Sequence, residues 1–178
     1  MPEPTEASAP RPAPAPAAPS APGRRAQAGA LVLAAVVVAL DQFTKAAASR
    51  AFADGSHRTV LPGFFDLRLA LNDGAAWSML SGRRWLLAGV SAAMLALLAW
   101  NRRELCATRL SRIAAGLLAG GIVGNLLDRL RTGRVVDFLD WHWRAAYTFP
   151  TFNLADTAIC IGVGLLVLAS LPCFRARP

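Results

Sequence analysis

Apolar residues in this chain gather into four long runs, at about 28–48, 85–100, 113–130 and 152–171, with polar stretches between them. A helix needs about 20 residues to cross a hydrocarbon layer roughly 30 Å thick, and these runs reach or approach that length. They predict four transmembrane helices. The second is the shortest and depends on its Trp and Arg flanks to reach the interfaces. Between the first two runs, residues of about 52–82 mix Gly and Pro with short alternating stretches such as Phe64-Phe65-Asp66-Leu67-Arg68-Leu69, the mark of a strand or hairpin. The stretch of about 131–151 carries Trp141, Trp143 and Tyr147, whose rings are apolar at one end and polar at the other. It is predicted to lie along the membrane surface. The fold class expected is an all-α membrane protein: four transmembrane helices, a small extracytoplasmic β element and a short interfacial segment.

Composition refines the ends. Residues 1–25 are rich in Ala and Pro and poor in large apolar side chains, so they are expected to form a disordered cytoplasmic tail. Residues 26–173 form the four-helix membrane domain, and 174–178 a basic cytoplasmic end. A cleavable signal peptide is the competing reading of the first run, because Arg24 and Arg25 precede it and Ala46-Ala47-Ala48 resembles a cleavage site. Asp41 and Lys45 oppose it, since they interrupt a region that a signal peptide keeps apolar or small.

The net charge of +8 does not imply nucleic acid, because the basic residues are spread over loops and helix ends without a stripe or an aromatic-interleaved patch. Anchoring at the membrane surface accounts for them better. The cysteines Cys106, Cys160 and Cys173 lack metal-ligand spacing and imply neither zinc nor a disulfide framework. The Lys/Arg count of the flanks is nearly balanced between the two sides. The Asp residues cluster on or near the side opposite the termini, a minor argument for cytoplasmic termini.

Chemistry enters with Asp137 in Val135-Val136-Asp137-Phe138 and Asp156 in Phe152-Asn153-Leu154-Ala155-Asp156. Each stands where an apolar segment meets a polar loop, and an ionisable group there is costly unless it is used. Helical spacing of three and four puts Asn125, Asp128 and Arg129 in one cluster, Asn153 beside Asp156, and Asp41 beside Lys45. Gly116, Gly120 and Gly124 recur every fourth residue, which lets a neighbouring helix approach closely. Two carboxylates with amide neighbours point to acid–base hydrolysis: close carboxylates do not both ionise easily, so one acts as base and the other as acid. Asn72 or Asn153 could orient such a site through amide hydrogen bonds.

Blander readings stand beside these. Asp128 with Arg129, or Asp41 with Lys45, would also serve as structural ion pairs at helix ends, and Arg129 as an interface anchor. Asp156 alone could be a carboxylate favoured by a helix N-terminus. Asp140 reads as a solvated loop residue, and His57 and His142 as exposed. A small proton- or ion-coupled transporter also needs intramembrane Asp, Asn and Arg. It would more often show an internal repeat and a polar path across the bilayer. A non-enzymatic scaffold would use only the glycine ladder.

The motifs, in order, resemble those of the bacterial lipoprotein signal peptidases (signal peptidase II), a family of membrane-embedded aspartic peptidases. They are Asp41-Gln42-Phe43-Thr44-Lys45, Asn72-Asp73-Gly74-Ala75-Ala76-Trp77-Ser78, Gly124-Asn125-Leu126-Leu127-Asp128-Arg129, Val135-Val136-Asp137-Phe138 and Phe152-Asn153-Leu154-Ala155-Asp156. The resemblance implies that Asp137 and Asp156 are the catalytic dyad, and that Asp41, Lys45, Asn72, Gly74, Asn125, Asp128, Arg129 and Asn153 bind substrate or support the site. It implies no metal or other cofactor and a substrate that is a diacylglyceryl-modified prolipoprotein, cut just before the lipidated Cys. It further implies a monomer in the bacterial inner membrane, in contact with lipid, with cytoplasmic termini and the dyad toward the outer face. The chain departs from the family pattern at Trp77, where Phe is usual, and at Leu71 and Asp73 around Asn72, which bears on fine substrate preference.

Overall fold

The structure is a computed structural model that describes residues 24–75, 77, 79–143 and 147–171. The expected tail up to residue 23 and the basic end at 174–178 lie outside the described residues. Five helices and four strands follow in the order α1 (Arg24–Ala51), β1 (His57–Leu61), β2 (Phe65–Asn72), α2 (Arg84–Trp100), α3 (Arg102–Leu105), α4 (Arg109–Arg131), β3 (Val135–Trp143), β4 (Tyr147–Thr148) and α5 (Leu154–Ser170). Each of the four apolar runs is a helix. Two of them, Arg25–Ala51 and Arg109–Arg131, are long and apolar enough to cross a membrane, whereas Arg84–Trp100 and Leu154–Ser170 are shorter apolar helices.

Helix α4 is the central element, packed against α1, α2 and α5. Its glycines make this possible. A methyl group built on Gly120 would lie 2.6 Å from Val37 Cβ and 2.8 Å from the Ala34 carbonyl, and one on Gly116 would lie 2.9 Å from the Ala30 carbonyl. Gly121 meets Ala155 and Ile159 in the same way, so opposite faces of α4 hold α1 and α5. On α1 the buried positions Val37, Asp41, Lys45 and Ala48 are spaced by four, four and three, a single helical face turned to α4. Leu31, Val32, Val36, Leu40 and Phe43 on its other faces are exposed.

The molecule is therefore inside out relative to a water-soluble protein. Its buried set includes Asp41, Lys45, Asn125, Asp128, Asp137 and Asn153, while large aliphatic and aromatic side chains cover the surface. A hydrocarbon solvent favours that distribution.

The β element is an antiparallel sheet in the order β1-β2-β3-β4. β1 and β2 form a hairpin closed at Leu61–Phe64, with Gly63 at φ +78. The segment expected only to run along the surface is part of this sheet: β3 pairs with β2, matching Phe65 to Trp141, Asp66 to Asp140 and Asn72 to Val135. Period-two alternation is weak in Val135–Trp143, and the pairing partner lies more than sixty residues earlier, so local pattern did not mark it as a strand. The same pairing corrects two further expectations. Asp140 is buried against Arg68 at 2.7 Å rather than solvated, and His142 is partly buried 4.0 Å from Asp66 rather than exposed.

Candidate functional site

Asp137 reaches the bundle because β3 starts a few residues after α4 and is bridged at Leu139 to Phe152, two residues before α5. The Phe138 and Leu139 amides donate to the Phe152 carbonyl at 3.0 and 2.9 Å, and the Phe152 amide donates back to the Leu139 carbonyl at 3.1 Å. This clamp sets the first turn of α5 against β3. At that turn Asn153 and Asp156 form a reciprocal capping box: the Asn153 side chain accepts from the Asp156 amide at 2.9 Å, and the Asp156 carboxylate accepts from the Asn153 amide at 3.2 Å.

Asn153 is fully buried and joins the two acidic residues. Its side-chain amide donates to Asp137 Oδ1 at 2.7 Å and to Asn125 Oδ1 at 3.2 Å, while its backbone amide serves Asp156. Asn72 Nδ2, at the end of β2, donates to the other Asp137 oxygen at 3.1 Å, and Asn125 Nδ2 donates to Asp156 Oδ1 at 2.7 Å. Every oxygen of the two carboxyl groups thus has an amide donor. Burial, and next the neighbouring Asp156 charge, push the Asp137 carboxyl up from 3.8 to about 6.

Beneath this pair lies a buried charge network. Lys45 Nζ stands 2.8 Å from Asp41 Oδ2, 2.8 Å from Asp128 Oδ2 and 2.9 Å from Asn125 Oδ1. Asp41 Oδ1 accepts from the Ala155 amide at 3.0 Å, which ties α1 to the start of α5. Asp128 also accepts from the Val136 amide at 3.3 Å, which ties α4 to β3. Two carboxylates share one ammonium, and backbone and amide donors complete their coordination, as burial of charge demands. The sequence left an Asp128–Arg129 ion pair open; the structure pairs Asp128 with Lys45 instead. Arg129 bonds the carbonyls of Asn125 at 3.4 Å and Gly74 at 3.2 Å, within electrostatic range of Asp156, Asp137 and Asp128. The Gly74 amide donates to Asn72 Oδ1 at 2.9 Å, so Arg129 and Asn72 together hold the loop after β2.

All ten residues singled out from the sequence fall in this one connected set. Sequence reasoning passed over Gln42, which bonds Asp128 Oδ1 at 2.9 Å and the Gly124 carbonyl at 3.3 Å. A neutral amide inside an apolar run was the available signal, since hydrocarbon penalises it unless it is bonded. It also passed over the walls. A cleft of about 610 Å³ opens on Asp137 and Asp156, with Asn125, Arg129 and Asn72 on its polar side and Met94, Ile122, Ile159 and Phe149 among its apolar lining. Trp77 and Phe149 meet edge to face at 5.9 Å across its mouth.

Charged and amide groups inside, apolar groups outside, and a largely apolar cleft over two carboxyls define a membrane-embedded enzyme of mainly helical fold. Comparison with known proteins agrees and narrows the class. The family description Signal peptidase (SPase) II matches residues 33–172. A lipoprotein signal peptidase of Symbiobacterium thermophilum is 46% identical over 139 residues, covering 78% of this chain and 91% of its own. That of Syntrophotalea carbinolica is 44% identical over 144 residues, covering 78% and 88%. A solved bacterial membrane enzyme superposes with a TM-score of 0.75 at 31% identity, over 85% of this chain and 92% of that one. The chain belongs to the signal peptidase II family.

Proposed function

We propose that this chain is the aspartic endopeptidase that removes the signal peptide from diacylglyceryl-modified prolipoproteins, with Asp137 and Asp156 as its catalytic dyad. Membership of the signal peptidase II family carries the peptidase activity. The dyad assignment rests on one observation: a single buried residue, Asn153, donates to both carboxylates, through its side chain to Asp137 and its backbone to Asp156. Two acids held by one residue at the floor of one cleft can address one peptide bond. The ionised carboxylate takes a proton from the attacking water, and the protonated one polarises the scissile carbonyl and then supplies the leaving amine. Lys45, Asp41 and Asp128 hold the elements that present the dyad, and Asn72, Asn125, Asn153 and Arg129 orient it together with the Gly74 loop.

In this reading residues 26–173 form one four-helix membrane domain of the bacterial inner membrane, acting as a monomer with both termini cytoplasmic and the sheet and dyad toward the outer face. The apolar walls of the cleft suit a substrate that stays anchored in lipid. The direct test is cleavage of a lipidated prolipoprotein peptide by purified protein, with and without a chelator. Asp137→Asn and Asp156→Asn should each lower turnover by roughly 10²- to 10⁴-fold while the protein remains folded, and chelation should leave wild-type turnover unchanged. Normal turnover by either variant would remove that residue from the dyad.

A further inference from the structure

At the sheet end of the bundle, Arg83, Arg84, Arg131 and Arg134 are all exposed and none has a carboxylate partner among the described residues. The fold brings them to one surface. The Arg84 side chain lies on Gly133, where a methyl group would come within 3.0 Å of its guanidinium. Gly133 is the turn residue, at φ +80, between Arg131, which ends α4, and Arg134, which directly precedes β3. Arg131 in turn donates to Gln42 Oε1 of α1 at 3.1 Å, so the patch reaches from the start of α2 and the end of α4 to the side of α1. Arg84 is also fixed from the other side, its guanidinium 4.5 Å from the centre of the Trp85 ring, and Trp85 itself is 64% exposed.

We propose that this patch is a binding site for the phosphodiester headgroup of an anionic membrane phospholipid, with Trp85 at the level where headgroup and acyl chain meet. Like charges gathered on one surface without carboxylates repel one another, and a phosphate oxyanion relieves that repulsion while accepting their N–H bonds. Arg84 is already ordered by ring and backbone, so little side-chain freedom is lost on binding. An exposed Trp next to Arg at the start of an apolar helix belongs in the interfacial layer, where a lipid phosphate is the anion at hand. The proposal rests on the reading of the bundle as membrane-spanning and is independent of the dyad.

Native mass spectrometry of the purified full-length protein, offered phosphatidylglycerol and phosphatidylcholine in equal amount, tests it. The wild type should retain phosphatidylglycerol preferentially, and the double variant Arg84→Gln/Arg134→Gln should lose that preference by roughly thirtyfold, as expected for two basic residues at a lipid surface. The control Arg102→Gln/Arg103→Gln, on α3 at the other end of α2, should keep it. Equal retention of the two lipids by the wild type, undiminished preference in the Arg84/Arg134 variant, or displacement of the lipid by millimolar inorganic phosphate would overturn the site. Cleavage measured on the same samples separates the two readings. The arginine variant should still cut substrate in phosphatidylcholine nanodiscs, whereas Asp137→Asn should fail to cut yet retain the lipid preference.

Discussion

Asp137 shows what the site demands of a single residue. Its carboxyl is nearly free of solvent and lies beside a second acid, so its proton is held up to about 6 against 3.8 for an unconstrained group. The folded state therefore binds more protons than the unfolded state between those values, and stability contributed by the protonated form is lost as pH rises from about 4 through about 6. The midpoint of thermal unfolding in detergent should fall across that window and level off above it, and Asp137→Asn should lack this part of the slope. Lys45 has the opposite task. It is the one ammonium between Asp41 and Asp128, and Lys45→Met would leave two buried carboxylates without a cation. That should destabilise the fold by about 3–5 kcal/mol, read from unfolding curves at neutral pH, and depress cleavage in proportion to the protein lost. The identities of these residues were legible from the sequence, because each is a costly group in an apolar setting. Partners within one helix turn were legible too, Asp41 with Lys45 and Asn153 with Asp156, but distant partners were not: Asp128 turns from its neighbour Arg129 to Lys45, more than eighty positions away, since only there does a buried ammonium face it.

The helices carry these residues into one connected cluster, and their glycines decide how closely they meet. Gly162 and Gly164, two residues apart on α5, make a controlled comparison. A methyl group on Gly162 would come 2.7 Å from Leu118 Cγ and 3.1 Å from the Ala114 carbonyl, whereas one on Gly164 meets nothing within 4 Å. Gly162→Ala should destabilise by about 1–3 kcal/mol through overpacking. Gly164→Ala should stabilise by about 0.5–1 kcal/mol because it stiffens the helix without a clash. Thermal unfolding of the two variants side by side checks both signs, and equal behaviour would mean that α4 and α5 are less closely packed than described. The four long helices were readable from hydropathy to within a few residues at each end, whereas the one-turn α3 was not. Strand β3 was not, because its hydrogen-bonding partner is supplied by β2 across three intervening helices, and a paired strand need not alternate when both of its faces meet protein.

For the molecule as a whole, the proposed orientation has a plain consequence. With a sheet on the outer side and α3 on the inner side, a cysteine at the exposed Ser56 should react with a membrane-impermeant maleimide in intact spheroplasts, and one at Arg103 should react only after lysis. In a background without Cys106, Cys160 and Cys173, the reverse labelling pattern would invert the topology. Sequence by itself determined the solvent of this protein and its chemical inventory. Runs of apolar residues set where the long helices form and the apolar surface they present, and every acid, amide and base of the site stands out because an apolar setting tolerates none of them idly. Only the tertiary structure decided who meets whom. The junction of β3 with α5, the seating of Lys45 between α1 and α4, and the burial of Asp140 against Arg68 all depend on contacts between segments far apart in the chain. Such contacts follow from the joint packing of all the elements, and no local window of sequence contains them.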